Sequence, residues 1–213
     1  MKSPGATGRR GRDNRAMPPT HAFVRRETEH LLRRYLSVFR NEHARLGRLQ
    51  EQLGTGEDLF ARSNMRGHIT ASAIVLDAAC ERVLLVAHRF LRMWLPPGGH
   101  YEGPGSIWDS AVREVAEETG VTGIVLHPWC LQYGLPLDID SHPIPANPKK
   151  GEDTHFHHDF RYLAIAREAG PLVPQEDEVD GVRWATFDEL AAMPEHRMPR
   201  LLRKLEALCQ LPA

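Results

Sequence analysis

One stretch of the chain decides its fold, and it reads GGHYEGPGSIWDSAVREVAEETGV from Gly98 to Val121. Its first half is rich in glycine, and its second half has the apolar spacing of a helix. Ser106 followed three residues later by Asp109 predicts a helix start with a capping box, in which Asp takes the place usually held by Glu. Gly120 stands where a helix commonly ends with a left-handed residue. The stretch therefore predicts a glycine-rich loop followed by a helix over residues 107–119.

Three carboxylates lie on one side of this predicted helix, since Glu114, Glu117 and Glu118 are spaced i, i+3 and i+4. Like charges at this spacing repel one another, and a hard divalent cation would remove that penalty. Arg113 can hold a neighbouring carboxylate or a phosphate oxygen with its planar guanidinium. A glutamate triplet alone is more often a solvated helix face, but the double glycine ahead of it lets the backbone approach a ligand closely. Together these features favour a loop and helix that hold metal ions against a phosphate chain.

The same residues resemble the Nudix box. The box normally reads Gly, five residues, Glu, seven residues, Arg-Glu-apolar-x-Glu-Glu-x-Gly-apolar. This chain has Gly99, five residues, Gly105, seven residues and then REVAEETGV from Arg113 to Val121. The wider resemblance runs from about Gly67 to Leu208. It implies an α/β (α+β) fold of the Nudix type, which is an α/β/α sandwich around a mixed β-sheet, here with an N-terminal helical extension.

This resemblance implies hydrolysis of the pyrophosphate linkage in a nucleoside diphosphate joined to another moiety, with Mg²⁺ or Mn²⁺ as the cofactor. The expected partner is a small nucleotide-type substrate. The resemblance assigns the metal ligands to Gly99, Glu114, Glu117 and Glu118, and the catalytic roles to Arg113, Glu117 and Glu118. In several Nudix proteins a loop glutamate outside the box acts as general base, so Glu176 and Glu178 are further candidates.

Gly105 departs from the box, because the first Glu of the motif falls at this position. One carboxylate of the site is therefore missing. Glu102, three residues upstream, is the residue that we expect to substitute in part for the missing carboxylate. Two alternatives to a hydrolase stay open: a catalytically weakened Nudix-fold protein that binds or senses a ligand, and a Nudix-type isomerase of isoprenoid diphosphates.

A histidine-rich segment, THFHHDFRY from Thr154 to Tyr162, forms a second cluster. Side chains alternate along a strand, so His155, His157, Asp159 and Arg161 would share one face. Such groups are costly to bury without partners, so this face should meet a cleft, a metal or an anionic ligand. Two imidazoles with a carboxylate also suit a transition metal. A polar sheet face with internal ion pairs is an equally open explanation.

Together with DIDSHPIP from Asp138 to Pro145, this segment resembles a bacterial subgroup of Nudix proteins. In that interpretation the histidine-rich strand binds substrate or supports the metals, and the proline-rich segment 136–148 is a loop that forms one wall of the pocket. The predicted substrate-binding residues are Glu102, His142, His155, His157, Asp159 and Arg161.

Composition and periodicity predict a disordered tail (1–20) and a helical N-terminal extension (21–64) in the chain of 213 residues, and the resemblance assigns the rest (65–213) to a Nudix domain. The apolar face of the extension needs a partner, which is its own domain or a second copy of the chain, so a homodimer is open. The predicted elements are two helices between His21 and Leu53, a hairpin of Ile69–Leu76 and Val83–Ala87, strands at Ile124–Leu131, His155–Ile165 and Gly181–Trp184, and closing helices at Phe187–Leu190 and Pro199–Cys209.

Charge and composition exclude some classes of function. The chain has 27 Lys and Arg against 28 Asp and Glu, which argues against a nucleic-acid binder or a membrane-surface binder driven by bulk charge. Its three cysteines give no disulfide framework and suit a reducing compartment. With no secretory signal and no apolar stretch long enough to span a bilayer, we expect a cytoplasmic protein, and the resemblance to a bacterial subgroup implies a bacterial one.

Overall fold

The structure, a computed structural model, describes residues 19–148, 150–168, 170–193 and 198–209. The helices are α1 (Pro19–Val38), α2 (Gly47–Thr55), α3 (Ile107–Thr119), α4 (Pro128–Tyr133), α5 (Phe187–Ala191) and α6 (Met198–Cys209), with a 3-10 turn at Arg40–Glu42. The strands are β1 (His68–Leu76), β2 (Arg82–His88), β3 (Met93–Leu95), β4 (Gly98–His100), β5 (Ile124–Leu126), β6 (Asp138–Ile144), β7 (His155–Ala166) and β8 (Val179–Thr186).

The strands form one mixed sheet in the order β3-β2-β1-β7-β5, with β4 paired to β1, β6 to β7 and β8 to β2. β1 and β7 run parallel, and the other described pairs are antiparallel. The helix α3 packs against β1 and β4 on one face of the sheet. On the other face, Arg200 of α6 reaches Asp138 of β6 at 2.7 Å. This arrangement confirms the predicted sandwich of helices around a mixed sheet.

The N-terminal extension packs on its own chain. Leu32, Tyr35 and Leu36 of α1 and Leu49 of α2 are buried in the same hydrophobic core as the sheet. The Tyr35 hydroxyl also accepts a hydrogen bond from the N–H of Ile139 at 3.2 Å, which ties α1 to β6. The predicted apolar face is therefore covered by the chain's own domain, and a homodimer stays a prediction. Of the predicted tail, residues 1–18 lie outside the described part of the chain, and α1 begins at Pro19.

The strand predicted over Ile124–Leu131 is wrong beyond Leu126, because α4 begins at Pro128. Proline suits the first turn of a helix, where its missing N–H has no partner to lose. His127 caps this helix, since its Nδ1 accepts from the N–H of Trp129 at 3.2 Å. Trp129 and Cys130 are therefore buried as residues of a helix rather than of a strand, and Leu131 is exposed.

The loop predicted over residues 136–148 is also wrong, because β6 runs through it and pairs with β7. In the described sheet β6 is an edge strand, a place where Pro143 is tolerated. The glycine-rich segment holds the short strand β4, and β3 lies just before it. With three residues each, these strands are too short for their sequence pattern to predict them. Among the described helices, none has the length and apolar character needed to cross a membrane.

Candidate active site

The helix α3 begins and ends where the sequence predicts. The Ser106 hydroxyl accepts from the N–H of Asp109 at 3.2 Å, and the Asp109 carboxylate accepts from the N–H of Ser106 at 2.7 Å. Gly120 follows the helix with a φ of 73°, and its N–H donates to the carbonyl of Ala116. With both ends fixed in this way, Glu114 and Glu118 lie on the buried side of the helix, against β4.

The double glycine lets β4 lie directly against these two glutamates. The N–H of Gly98 donates to Oε2 of Glu118 at 2.9 Å. A Cβ atom at Gly99 would overlap the carboxylate of Glu114, and one at Gly98 would lie 2.6 Å from the carbonyl oxygen of Ala71. Only glycine therefore allows this strand to fit between β1 and α3. The structure brings Gly99, Glu114 and Glu118 together.

Arg113 links the carboxylates of the helix to the preceding loop. Its guanidinium lies 2.6 Å from Oε2 of Glu117, 2.7 Å from Oε1 of Glu114 and 3.6 Å from Oε2 of Glu102. It also donates to the carbonyl of His100 at 3.2 Å. The side chains of Glu117 and Glu102 are 48% and 65% exposed, so both lie at the rim rather than in the buried part of the site. Arg113 thus offsets part of the repulsion among the carboxylates.

Burial makes Glu114 and Glu118 weak acids. It raises the pKa of Glu118 to about 8. The hydrogen bond from the N–H of Gly98 lowers this pKa, and the charges of Glu114 and Glu178 raise it further. It raises the pKa of Glu114 to about 7, although Arg113 acts in the opposite direction. When both carboxyls are ionised, the positive charges and hydrogen-bond donors around them therefore do not fully compensate their negative charge. Their oxygen atoms are the donor type that Mg²⁺ and Mn²⁺ prefer, so the residues fit a hard divalent cation.

The loop that follows residue 170 packs on the C-terminal end of α3. The N–H of Val173 donates to the carbonyl of Thr119 at 2.8 Å, and the N–H of Gln175 donates to the carbonyl of Glu118 at 3.3 Å. This packing brings Glu178 close enough for its charge to raise the pKa of both Glu114 and Glu118. Of the two loop glutamates that the sequence suggests, Glu178 contributes to the raised pKa of both buried carboxyls.

Gly105 lies one residue before the helix cap. A Cβ atom at this position would lie 3.1 Å from Oδ2 of Asp109, so a side chain there would begin beside the capping carboxylate. Glu102 is on the side of the site that holds Arg113 and Glu117. That Glu102 takes over the role of the missing carboxylate of the box stays a prediction.

The histidine-rich segment is strand β7, and its predicted alternation is confirmed. β7 pairs His157 with His68 of β1 and with His142 of β6, so these side chains share one face of the sheet. His100 of β4 lies on this face too, and its ring is 5.2 Å from that of His157 and 5.0 Å from that of His68, centroid to centroid. We call the five residues on this face the histidine cluster: His68, His100, His142, His155 and His157.

Asp159 and Arg161 lie further along the same face of β7, and both are buried and paired. The Ser72 hydroxyl donates to Asp159 at 2.7 Å, and Arg161 lies 2.8 Å from the same carboxylate. Arg161 also lies 3.3 Å from Asp138 and 3.3 Å from Asp140. These contacts favour the explanation by internal ion pairs for this half of the strand. A substrate contact by Asp159 or Arg161 stays a prediction.

Sequence reasoning missed two members of the histidine cluster, His68 and His100. Within the part of the chain that the structure describes, one group of three possible metal ligands has all its ligand atoms within 4.8 Å of one another, and it is His68, His100 and His157. The glutamates of α3 do not form such a group in these residues. His68 begins β1 and His100 ends β4, so only the pairing of the strands reveals that they meet.

The NUDIX domain family matches residues 66–205, which contain the sheet, α3 and the site described above. The chain belongs to this family. A curated Nudix relative is the probable DHNTP pyrophosphohydrolase of Lactococcus lactis subsp. cremoris (strain MG1363), 33% identical over 111 residues, which are 52% of this chain and 61% of the relative. Human m7GpppN-mRNA hydrolase NUDT17 is 30% identical over 139 residues, 60% of this chain and 41% of the relative. The NAD-capped RNA hydrolase NudC of Pseudomonas aeruginosa (strain LESB58) is 30% identical over 131 residues, 61% of this chain and 40% of the relative.

The chain thus spans about two to three fifths of the length of these curated relatives. Among solved structures, a C. elegans Ap4A hydrolase in a binary complex is similar with a TM-score of 0.50 and 20% identity, covering 66% of this chain and 96% of that chain. At this level of identity the likeness shows the Nudix fold alone.

Proposed function

We propose that this Nudix chain is a metal-dependent hydrolase of the pyrophosphate linkage in a nucleoside diphosphate joined to another moiety. The observation that carries the proposal is the pair of buried carboxyls, Glu114 and Glu118, held against the double glycine by the helix of the Nudix box. The curated relatives support the class of reaction, since their names describe hydrolases of DHNTP, m7GpppN-mRNA and NAD-capped RNA. Because these names differ from one another, the group attached to the diphosphate is left open.

The proposed ligands of Mg²⁺ or Mn²⁺ are Glu114, Glu117 and Glu118, together with the backbone of Gly99. A divalent cation bound there supplies charge neutralisation at the pyrophosphate and a lower pKa for the attacking water. The chain itself supplies the positioning. Arg113 orients Glu114 and Glu117 through its two short ion pairs and adds positive potential beside the phosphates.

Hydrolysis also needs a group that accepts a proton from water. The water oxygen forms a bond to one phosphorus, the bond from that phosphorus to the bridging oxygen breaks, and the second phosphate leaves with the electron pair. The proposed proton acceptor is a carboxylate of the box, Glu117 or Glu118, with Glu178 as the candidate from the loop. A carboxylate whose pKa lies near neutral pH suits this role, and burial moves Glu118 towards it.

For the rest of the substrate, Glu102 is proposed to make a contact at the rim of the site, beside Arg113. On β7 and β6 the proposal keeps His155, His157 and His142 as substrate contacts. Contacts by Asp159 and Arg161 would have to compete with the ion pairs that these two residues already form.

The test measures phosphate or nucleotide release with Mg²⁺ or Mn²⁺ from a panel of DHNTP, Ap4A, NAD-capped RNA, m7GpppN-capped RNA and a nucleoside diphosphate sugar. We expect release from at least one compound, a requirement for metal, and loss of release in Glu117→Gln and in Glu118→Gln. Glu206→Gln is the matched control, because Glu206 is an exposed glutamate of α6. Release at the wild-type rate in both box variants would contradict the proposed site.

One observation favours a second function, a Nudix-fold protein that binds its ligand with little turnover. Gly105 removes a carboxylate of the box, and Glu102 is largely exposed rather than directed into the buried site. Equilibrium binding on the same panel separates the two functions. Metal-dependent binding without turnover would establish the binding protein. An isoprenoid diphosphate, assayed beside the panel, tests the isomerase, which would rearrange it without releasing phosphate.

A further inference from the structure

The histidine cluster lies on the face of the sheet opposite α3, so it is separate from the carboxylates of the Nudix box. β4 alternates between the two faces: Gly99 pairs with Ala71 and lies toward Glu114, whereas His100 pairs with Thr70 and lies toward His157. The cluster carries no carboxylate, and the one imidazole within the box, that of His100, lies on the face away from Glu114. The two groups of side chains therefore suit different ligands.

Hydrogen bonds fix which nitrogen atoms of the cluster can bind a metal. Nδ1 of His68 lies 3.2 Å from the carbonyl of Asn64, and Nδ1 of His155 lies 2.7 Å from the carbonyl of Asp153. A carbonyl only accepts, so each Nδ1 carries the proton and each Nε2 of the neutral ring keeps its lone pair. Metal-binding histidines in proteins are commonly held in this way, with the second ring nitrogen donating to a backbone or carboxylate oxygen.

One of these lone pairs lacks a partner. Nε2 of His68 is buried and has no hydrogen-bond partner among the described residues. Nε2 of His155 lies 3.2 Å from Nε2 of His157, which can donate to it. Buried polar atoms are normally satisfied, so an orphan acceptor aimed into a cluster of imidazoles is an observation that needs a ligand.

We propose that His68, His100 and His157 hold a transition-metal ion of the zinc class through three neutral imidazoles. Three histidines are a known donor set for Zn²⁺, which then keeps a fourth position for water or another ligand. With Zn–N distances of about 2.0–2.1 Å, tetrahedral geometry puts the nitrogens about 3.4 Å apart. The three nitrogens here lie within 4.8 Å of one another, so binding draws the rings together. His155 and His142 lie beside this triad, with their rings 5.1 Å and 5.9 Å from that of His157.

The choice of metal follows from the donor atoms. Imidazole nitrogen suits Zn²⁺, Cu²⁺, Fe²⁺ and Ni²⁺, whereas Mg²⁺ and Mn²⁺ prefer oxygen. The site is therefore expected to keep its ion in an excess of Mg²⁺, and the Nudix carboxylates are expected to bind Mg²⁺ whether or not the histidine triad is filled.

The test is elemental analysis of the full chain, purified without a polyhistidine tag and dialysed against excess Mg²⁺, followed by titration of metal-free protein with Co²⁺ or Zn²⁺. We expect about one transition-metal ion per chain, a Co²⁺ spectrum typical of nitrogen ligands, and an affinity lowered about 100-fold or more in His68→Gln, His100→Gln and His157→Gln. His43→Gln, an exposed histidine outside the cluster, and Glu118→Gln are expected to leave the affinity unchanged. Circular dichroism of each variant checks the fold, and His100→Gln is the variant least able to disturb it, since His100 is half-buried at the end of a three-residue strand.

Three results would overturn the proposal. They are the absence of stoichiometric binding in wild-type protein, equal affinity in folded variants of all three histidines, and loss of binding in Glu118→Gln, which would place the ion at the carboxylates. The readout is metal content and affinity rather than turnover. A failure of the hydrolase proposal would therefore leave this result unaffected.

Discussion

Replacing Glu118 by Gln should stabilise the metal-free protein at alkaline pH while abolishing its metal-dependent activity. Glu118 is 3% exposed, and burial raises its pKa to about 8 from an ordinary value of 4.5. The folded chain therefore holds a proton that the unfolded chain has already released. Stability falls as pH rises through this window, because ionisation is cheap in the unfolded chain and costly in the folded one.

The size of the effect follows from the difference between the pKa of Glu118 in the folded chain and its pKa in the unfolded chain. Each pH unit between the two pKa values is worth about 1.4 kcal/mol, so at pH 9 the ionised Glu118 destabilises the fold by up to about 5 kcal/mol. Glutamine has nearly the same shape and keeps an oxygen that can accept from the N–H of Gly98. We expect Glu118→Gln to gain about 3 kcal/mol or more at pH 9 in EDTA, and much less at pH 5, where the wild-type group is protonated. In a chain of this length 3 kcal/mol raises Tm by about 6–12 °C.

Urea unfolding at pH 5 and pH 9, in EDTA and then in Mg²⁺, measures this difference. In Mg²⁺ at pH 9 the advantage of Glu118→Gln should shrink by about 2.7 kcal/mol at a concentration of 100 times Kd, since only the wild-type site gains binding energy. Glu206→Gln, on the exposed face of α6, should show no such dependence on pH. An equal gain at both pH values would show that the charge on Glu118 is not the cause, and no gain at pH 9 would refute the reasoning.

Three further changes test other parts of the structure. Gly99→Ala should displace the carboxylate of Glu114 and abolish metal-dependent turnover. The control is Gly54→Ala in α2, where a Cβ meets nothing within 4 Å; in thermal unfolding it should be neutral or stabilise the protein by up to about 1 kcal/mol. Gly105→Glu should raise metal-dependent turnover by restoring the missing carboxylate; Gly105→Gln separates charge from size, and an unchanged or lower rate for the glutamate would count against a missing ligand. Arg161→Leu should lower the free energy of unfolding by about 3–5 kcal/mol, because it removes the ion pairs of Asp159 and Asp138 with Arg161 inside the protein. The control is Arg203→Leu at an exposed position, and an equally small loss in both variants would show that the buried pairs contribute little to stability.

Local signals predicted the elements whose sequence pattern is complete in itself. The helix α3 has a cap at each end and an apolar face, so Ser106 and Gly120 bound it correctly. Strand β7 is long enough for its alternation to be read, which placed His157 and Asp159 on one face. By contrast, Pro143 suggested a loop because proline is rare in strands, and only the edge position of β6 makes it acceptable.

Contacts between distant segments could not be predicted in the same way. The pairing of Asp138 with Arg161 is set by the register of β6 on β7, and Arg200 of α6 adds a second positive charge. Although burial opposes ionisation of Asp138, the charges of Arg161, Arg200 and Lys204 outweigh it and lower its pKa to about 2. From the sequence alone, the same side chains fit a ligand site as well as an internal ion-pair network.

The strand β4 connects the two candidate sites through three consecutive residues. Gly98 and Gly99 place the backbone against Glu118 and Glu114, and the next residue, His100, puts its ring on the opposite face beside His157. Arg113 holds the same strand from the side of the Nudix box, through the carbonyl of His100 at 3.2 Å. A metal ion that draws the His100 ring toward the histidine triad would therefore act on the backbone segment that carries the glycines. β4 is only three residues long and is held by β1 on one side and by α3 on the other, so a shift of His100 would be passed to the contacts that Gly98 and Gly99 make with the box glutamates. Filling the triad should thus make the box glutamates better ordered, and hydrogen exchange at the N–H of Gly98 with and without Zn²⁺ measures this directly.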